Sequence, residues 1–344
     1  GYLKVPTPDQ GSFDAHLAAS TPTPLVPDTV NYWGNYPKFL VSQLKAWFGD
    51  HATEANEFGY HYLGKQEEDA TWLSMWDQAY QGRMKGIVAL GFNCLLAGPD
   101  VPRLTRAMSN LEWKVVIDPF LLDSAEFWGA PGVDPSEIDT EVLYLPAAHW
   151  IERGGSFTNS GRWAQWKEAA IDIPEGVRSD TSILSDLFWR VKDLYEEEGG
   201  AYHEPIVNMQ WNYLNPREPT LEEIAQEING YDLQAGELLS SFGQLRDDGT
   251  TSSGNWLYAG SWTEEGNMMA RRGTQDPAGL GFHHDWAFSW PLNRRVLYNR
   301  ASADAEGEPW DPERVGIRWN GSRWIGDVPD YGPTTPPDQA GAFI

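Results

Sequence analysis

Short apolar segments alternate with helical segments between residues 86 and 146, and this alternation constrains the fold more than any other sequence feature. Gly86–Leu90, Trp113–Ile117 and Glu141–Leu145 have the length of buried strands. Apolar strands that alternate with helices indicate a parallel sheet that is covered on both faces. Such sheets bind ligands beyond the carboxyl ends of their strands. The sequence therefore predicts an α/β fold whose functional residues directly follow these strands.

Apolar periodicity and end signals predict six helices along the chain. The first 35 residues contain five prolines and are predicted to be irregular. A hairpin around Asn320-Gly321 is predicted for Arg314–Ile325. The predicted helices are Lys38–Phe48, Thr71–Tyr80, Pro102–Leu111, Leu121–Trp128, Ser182–Glu197 and Thr220–Ile228; the fifth has Leu184, Leu187, Val191 and Leu194 on one face, and the last has Thr220 and Glu223 as a capping box.

The pattern of predicted elements and the composition of the sequence change near residue 180. Residues 1–180 contain the predicted strand–helix alternation, whereas residues 181–344 combine helices with long segments rich in Gly, Ser and Asp. We therefore predict an α/β domain over 1–180, followed by a mixed, loop-rich α+β region over 181–344 that ends in a hairpin. No internal repeat is visible.

Composition narrows the function classes. The chain has 25 basic and 50 acidic residues, a net charge of −25, which repels nucleic acid and anionic membrane surfaces. Its single cysteine, Cys94, excludes an internal disulfide and a multi-cysteine zinc or iron–sulfur site. Eighteen tryptophans leave open a carbohydrate-binding module, although Trp also fills large cores and subunit contacts.

Two candidate site segments follow the predicted strands. Gly91-Phe92-Asn93 comes after the first strand, where glycine permits close backbone approach and Asn offers both a donor and an acceptor. A turn that needs Gly and Asn explains the segment equally well. Asp118 ends the second strand, and a carboxylate there can accept hydrogen bonds from ribose or guanine. It can equally cap the segment that follows.

A third candidate site lies between residues 152 and 163, just beyond the third strand. Gly154 and Gly155 precede four small polar residues, and Arg153 and Arg162 flank them. Exposed backbone N–H groups next to arginine form an anion cradle, and a guanidinium can grip a phosphate in bidentate fashion. A polar surface loop is the alternative. Paired His283-His284 could serve as metal ligands or in acid–base chemistry, but no carboxylate–histidine spacing supports this.

The third segment resembles part of a known family. Leu145 to Ala148, Glu152 and Gly155 to Arg162 resemble the stretch LPA…E…G(S/T)xTNxxxR of the molybdopterin oxidoreductases. Within these, the chain looks like the catalytic (alpha) subunit of respiratory formate dehydrogenases. Further runs that carry this resemblance are Gly1 to Leu3, Asn31 to Trp33, Ser160 to Lys167, Glu227 to Tyr231, Asp247 to Gly254 and Trp290 to Ser302.

The resemblance implies a parallel-sheet half-domain that binds molybdopterin guanine dinucleotide. Cys94 departs from the family pattern by replacing a usual proline, and Gly154 occupies a position that is often acidic. The Ser156 to Arg162 loop would help to close the cofactor site. The implied cofactor-binding residues are Gly91, Phe92, Asn93, Ile117, Asp118, Pro146, Ala147, Ser156, Thr158, Asn159 and Arg162.

The resemblance also implies an activity for the complete protein. It is expected to oxidise formate to carbon dioxide at a bis-MGD centre with molybdenum or tungsten, and to pass electrons through a 4Fe-4S cluster. The metal ligand, the cluster cysteines and the catalytic His and Arg are expected outside this chain, which would be a piece of the subunit and inactive alone. Expected partners are the rest of the alpha subunit, an iron–sulfur beta subunit and a membrane cytochrome b subunit, in a periplasmic assembly.

Two other readings remain open at this stage. A related molybdopterin oxidoreductase could act on nitrate or thiosulfate, although the runs at 247–254 and 290–302 are typical of formate dehydrogenases. A non-catalytic cofactor-holding or interaction protein would also be compatible with the missing ligands.

Overall fold

The chain folds into helices and mostly short strands. The computed structural model describes residues 4–20, 35–159, 161–275, 286–289, 303–313, 315, 317–326 and 336–337. The α-helices are α1 (Phe13–Ser20), α2 (Tyr36–Phe48), α3 (Trp72–Tyr80), α4 (Val101–Ser109), α5 (Asp180–Glu198), α6 (His203–Val207) and α7 (Leu221–Asn229). The strands are β1 (Gly86–Leu90), β2 (Trp113–Asp118), β3 (Glu141–Pro146), β4 (Gly155–Thr158), β5 (Trp163–Lys167), β6 (Tyr231–Asp232), β7 (Glu237–Leu238), β8 (Thr251–Ser252), β9 (Trp262–Thr263), β10 (Gly266–Asn267), β11 (Ala287–Phe288), β12 (Ile317–Trp319) and β13 (Trp324–Gly326).

The first three strands form the predicted parallel sheet, in the order β1-β2-β3. Their register places Leu90, Ile117 and Leu145 side by side. Helices α3 and α4 cover one face, where Trp76, Leu104 and other apolar side chains form a core. The chain is therefore a mixed α/β protein with a parallel three-stranded sheet.

The opposite face of this sheet is largely uncovered. Val88, Leu90, Leu143 and Leu145 are between 37% and 48% exposed on it. Only the middle of the face is covered, where Ile183 of α5 packs against β2. The prediction of a sheet covered on both faces is thus wrong for the residues that the structure describes.

The segment between β2 and β3 also differs from its prediction. Leu121–Trp128 was expected to be helical, but it forms turns followed by a 3-10 helix at 127–129. The carbonyl oxygen of Ser124 accepts a hydrogen bond from the buried Lys114 ammonium. This carbonyl therefore does not accept the hydrogen bond that a helix would form with the N–H four residues later. A tertiary contact overrides the local helical pattern here.

The start of the chain is more regular than expected. Residues 13–20 form α1, although residues 1–35 were predicted to be irregular. Its Phe13 packs edge-on against Phe58 and Tyr60, with ring centroids 6.1 and 5.8 Å apart. Tertiary packing of one aromatic side chain thus stabilises a helix with little amphipathic pattern.

Most other helix predictions are confirmed within one or two residues. Helix α2 ends at Phe48, directly before Gly49, α5 begins two residues before the predicted Ser182, and α7 begins after Thr220 with its capping box formed. The hairpin β12–β13 pairs Trp319 with Trp324 around the predicted turn. No helix in the described part of the chain is both long and apolar enough to cross a membrane.

Smaller sheets organise the described residues after β3. They have the strand orders β11-β5-β4, β7-β6-β8, β10-β9 and β12-β13, and all are antiparallel. Helix α2 packs onto this later region, since Phe39 stacks on Trp256 at a centroid distance of 4.1 Å. The domain division at residue 180 stays a prediction.

Candidate functional site

The carboxyl ends of the parallel strands form one continuous edge. The backbone N–H of Gly91 donates to the carbonyl of Ile117 at 2.8 Å, and that of Ala147 donates to the carbonyl of Asp118 at 3.2 Å. Pro146 lies beside Asp118 in the register of β2 and β3. Three chain segments that are distant in sequence are therefore brought together, as the parallel topology requires.

The turn after β1 leaves the backbone open at this edge. Gly91 has a φ of +60°, a conformation that favours glycine, and a Cβ at this position would meet nothing within 4 Å. Phe92 is 45% exposed, and its ring contacts that of Trp72 at 5.5 Å. A ligand can approach this turn closely without a clash with a side chain at position 91.

The Asn93 side chain is held in place by two hydrogen bonds. Its amide Nδ2 donates to Asp123 Oδ2 at 3.1 Å, and its Oδ1 accepts from the backbone N–H of Leu96 at 3.2 Å. The amide therefore has a fixed orientation at the edge, and its oxygen and nitrogen are assigned by their partners. Asp123 is a further edge residue that the sequence did not reveal, because it lies in the segment predicted as helix.

The residue after this turn faces the core. Cys94 is buried, so it is not available at the edge. Near it lies Lys114, fully buried, which donates to Ser124 O and to Met108 Sδ, the latter at 3.2 Å. Burial lowers the pKa of Lys114, and the Cys94 side chain acts in the opposite direction.

Asp118 is a buried carboxylate at the end of β2. It is 4% exposed, and its Oδ1 accepts from the backbone N–H of Phe120 at 2.9 Å. The Tyr144 hydroxyl donates to its carbonyl oxygen at 2.9 Å. Burial, together with the charge of Asp118, raises the pKa of Tyr144. The carboxylate therefore shapes the turn that leaves the strand, in addition to any contact with a ligand.

The third predicted segment is mostly a β-hairpin, not a loop. Ser156 and Thr158 belong to β4, which pairs with β5. The turn begins at Asn159, and Arg162 closes it with a φ of +63° and a backbone bond to the Asn159 carbonyl at 2.8 Å. Alternating polar side chains make a two-stranded ribbon possible, and the sequence reading missed this. Ser160 lies outside the described residues.

One hydroxyl of this hairpin is buried without a partner. Thr158 Oγ1 is inaccessible and has no hydrogen-bond partner among the residues that the structure describes. Native proteins rarely leave a buried hydroxyl unsatisfied. It therefore marks a position where a bound group could supply the missing hydrogen bond.

The base of the hairpin is joined to the strand edge through residues 178–180. Arg153 forms an ion pair with Asp180. The Arg178 backbone N–H donates to Pro146 O at 3.3 Å, and the Arg178 carbonyl accepts from the Ala148 N–H at 2.8 Å. Burial raises the pKa of Asp180 while Arg153 lowers it and Asp118 raises it. Arg178 and Asp180 therefore belong to the site region, and no sequence pattern identified them.

No metal-binding cluster occurs in the part of the chain that the structure describes. No group of three or more His, Cys, Asp or Glu side chains there could hold a metal ion. His283-His284 lies outside the described residues. The candidate site therefore consists of backbone, amide and carboxylate groups around a parallel-sheet edge, and no described hydrogen bond joins the Thr158 hydroxyl of the hairpin to this edge.

Sequence comparison relates this mixed α/β chain to one group of enzymes. It is 45% identical over 361 residues to the nitrate-inducible formate dehydrogenase major subunit of Escherichia coli (strain K12), covering 100% of this chain and 36% of that subunit. It is 42% identical to the formate dehydrogenase major subunit of Haemophilus influenzae, covering 100% and 35%. It is 40% identical to formate dehydrogenase 2 subunit alpha (cytochrome c-553) of Nitratidesulfovibrio vulgaris, covering 98% and 34%.

The chain is therefore homologous over its whole length to formate dehydrogenase major, or alpha, subunits. It spans about a third of the length of these curated relatives. No family model matches the chain. Among solved structures, acetylene hydratase from Pelobacter acetylenicus aligns with a TM-score of 0.31 at 17% identity, covering 52% of this chain and 22% of that one, which is too low a score to support an argument.

Proposed function

We propose that this chain is part of a formate dehydrogenase catalytic subunit that oxidises formate to carbon dioxide, and that it contributes to cofactor binding. The observation that carries the proposal is the 40–45% identity to such subunits across 98–100% of the chain. The parallel sheet with functional groups at its carboxyl edge supports it, because such edges bind nucleotide-bearing ligands.

The proposed cofactor is bis-MGD with molybdenum or tungsten, which when bound supplies the redox chemistry. Two features of the edge and one of the β4–β5 hairpin would suit one dinucleotide tail. The Gly91 turn is open, the Asn93 amide is held in a fixed orientation, and the Thr158 hydroxyl lacks a partner among the described residues. The proposed binding residues are Gly91, Phe92, Asn93, Ile117, Asp118, Pro146, Ala147, Ser156, Thr158, Asn159 and Arg162.

The role of this chain in that site is to bind and orient the dinucleotide tail of the cofactor. Asp118 shapes the turn after β2, and Asn93 presents an amide whose direction is set by Asp123. Cys94 is buried in the core and is not proposed as the metal ligand. By the family resemblance, the metal ligand, the catalytic His and Arg and the cysteines of a 4Fe-4S cluster would come from the rest of the subunit. This chain alone is expected to be inactive.

The proposed partners are the rest of the alpha subunit, an iron–sulfur beta subunit and a membrane cytochrome b subunit in the periplasm. The exposed apolar face of the parallel sheet supports packing against further protein, since Leu143 and Leu145 are 48% and 37% exposed there. Contiguous apolar surface of this kind marks protein–protein contact.

Substitutions at the edge in the complete subunit test the proposal. Asn93→Ala removes one amide, and the loss of a single hydrogen bond corresponds to roughly a two- to tenfold loss of affinity. We expect the variant to release less guanine nucleotide per denatured subunit than wild type, with a loss of up to half because this edge binds one of two dinucleotides, and to oxidise formate more slowly in proportion. Asn215→Ala, at an exposed position, is the matched control.

Two results would contradict the proposal. One is unchanged nucleotide content and formate oxidation in both Asn93→Ala and Asp118→Asn. The other is a complete subunit that holds no guanine nucleotide at all. Circular dichroism of each variant shows whether a loss reflects unfolding instead.

A further inference from the structure

Helix α5 turns a side of mixed polarity toward the rest of the protein. Ser182 and Ser185 are buried on its inner side. Trp189 Nε1 donates to Pro216 O, and Lys192 Nζ donates to Met209 O, both at 3.0 Å. Surface helices normally bury their apolar stripe and expose the polar side. The inner side of α5 is mixed, because it also buries Ile183 and stacks Phe188 on Trp211 at 4.6 Å, and a separate apolar row is left exposed.

The apolar side of α5 faces solvent. Leu184, Leu187 and Leu194 are 37%, 45% and 52% exposed, and Val191 lies between them. We call these four residues the outer stripe. Their 3-4-3 spacing is that of a and d positions in a coiled-coil seam, which receive the side chains of a second helix.

The residue before the outer stripe packs on the largely uncovered face of the parallel sheet. Ile183, next to Leu184 in sequence, packs on Ile117 of β2. Leu90 and Leu145 flank Ile117 in register and are 44% and 37% exposed. The start of α5 therefore links two exposed apolar surfaces.

An ion-pair network centred on Asp186 of α5 includes Arg190 of the same helix and two arginines from outside it. Arg178, Arg190 and Arg217 all pair with Asp186, and Arg217 also pairs with Asp193. Hydrogen bonds from Arg178 and Arg217 hold the pKa of Asp186 at about 2, so this carboxylate stays charged. Within this network three guanidinium groups face two carboxylates, whereas α5 as a whole carries six carboxylates and two basic side chains. Arg190 is the most exposed of the three, at 70%.

We propose that the outer stripe is the docking surface for an amphipathic helix from the rest of the same subunit, with apolar side chains at 3-4 spacing and a carboxylate opposite Arg190. This inference rests on the proposed function. The chain spans 36% of its Escherichia coli relative, so most of such a subunit lies outside it. The apolar composition of the stripe suits a permanent contact better than a transient one.

A second copy of this chain fits the stripe less well. From Leu184 to Leu194 the stripe is about 15 Å long, at 1.5 Å per residue, which offers less area than stable dimers bury. An antiparallel copy would also bring the two Arg190 side chains together, because this residue lies near the middle of the stripe. Like charges that meet in this way oppose association.

Hydroxyl-radical footprinting tests the docking surface. The oxidation rates of Leu184, Leu187 and Leu194 are measured by mass spectrometry in this chain, in the complete alpha subunit alone and in the assembled enzyme. We expect at least a fivefold slower oxidation in the alpha subunit alone than in this chain. Equal rates in those two samples would overturn the proposal, and protection that appears only in the assembly would assign the stripe to another subunit.

A pair of variants separates docking from local folding. Leu187→Asp should leave the Tm of this chain within about 2 °C of wild type, because the side chain is 45% exposed. In the complete subunit it should lower Tm by at least about 5 °C and restore fast oxidation of Leu184 and Leu194. Leu187→Met, which keeps the apolar contact, should do neither. A similar loss of Tm in both proteins would contradict docking. None of these readouts uses formate or cofactor, so failure of the proposed function would be seen separately.

Discussion

A half-buried Glu–Tyr pair shows how single residues set the pH response of this chain. The Tyr213 hydroxyl donates to Glu227 Oε2 at the wall of a cavity of about 410 Å³. Burial raises the pKa of the Glu227 carboxyl above its ordinary value of 4.5. Burial and the charge of Glu227 raise the pKa of Tyr213 as well. Folding therefore shifts the Glu227 carboxyl toward its protonated form relative to the unfolded chain.

The variant Glu227→Gln should flatten the dependence of stability on pH. The raised folded-state pKa means that the stability due to Glu227 is complete below about pH 4.5 and is lost as pH rises through the folded-state value. Glutamine stays neutral and can still accept the Tyr213 bond. We expect the Tm of the variant to exceed that of wild type by a few degrees at pH 8 and to match it near pH 4.

Thermal melts from pH 4 to 8 measure this effect. Glu222→Gln removes an exposed carboxylate from the same helix and should leave the pH profile unchanged. If Glu227→Gln were less stable than wild type at pH 8, the charged carboxylate would be the favoured folded form.

At the scale of one element, α7 depends on its first turn. Thr220 Oγ1 accepts from the Glu223 N–H at 3.2 Å, and Glu223 Oε2 accepts from the Thr220 N–H at 2.9 Å. These bonds satisfy N–H groups that a helix start leaves without partners. Hydrogen bonds from the backbone of Leu214 and from Thr220 lower the pKa of Glu223.

Loss of this cap should therefore destabilise the protein. Thr220→Ala is expected to lower the free energy of unfolding by about 1 kcal/mol. Urea denaturation at pH 7 measures it. Thr220→Ser keeps the hydroxyl and should remain within about 0.3 kcal/mol of wild type; an equal loss in both variants would mean that the threonine methyl group, and not the cap, matters.

The elements also show how far the sequence predicts this structure. Local signals were sufficient for α2, α7 and the three parallel strands, because periodicity and caps act within one element. Local signals failed where a residue distant in sequence determines the backbone conformation. At 121–128, for example, the Lys114 ammonium donates a hydrogen bond to the carbonyl of Ser124. Periodicity also identified the apolar side of α5 but not which side meets the protein, because that depends on the partner surface.

The candidate site divides in the same way. Gly91, Asn93 and Asp118 were predicted because parallel topology places strand ends together. Asp123 and Arg178 join them only through tertiary contacts with Asn93 and Pro146, and no spacing in the sequence encodes these. Assignment of Ser156 to a loop was wrong because strand pairing, and not composition, decides its conformation.

For the whole molecule, the net charge of −25 is the dominant electrostatic feature. Like charges on a compact chain repel one another, and salt screens this repulsion. We expect Tm to rise by roughly 3–8 °C between 20 and 500 mM NaCl. KCl should act equally, because screening depends on ionic strength; a fall in Tm would show that surface ion pairs such as Arg103–Asp77 outweigh the repulsion.

The sealed position of the one thiol has a practical consequence. Cys94 is the sole cysteine and is 2% exposed in the core beneath the parallel sheet. A maleimide dye can reach the Cys94 thiol only when that core opens. The labelling rate of the native chain therefore measures how often the core opens. A cysteine introduced on the surface would react with a fluorophore or spin label much faster than Cys94 does. Cys94 therefore need not be replaced before such site-specific labelling.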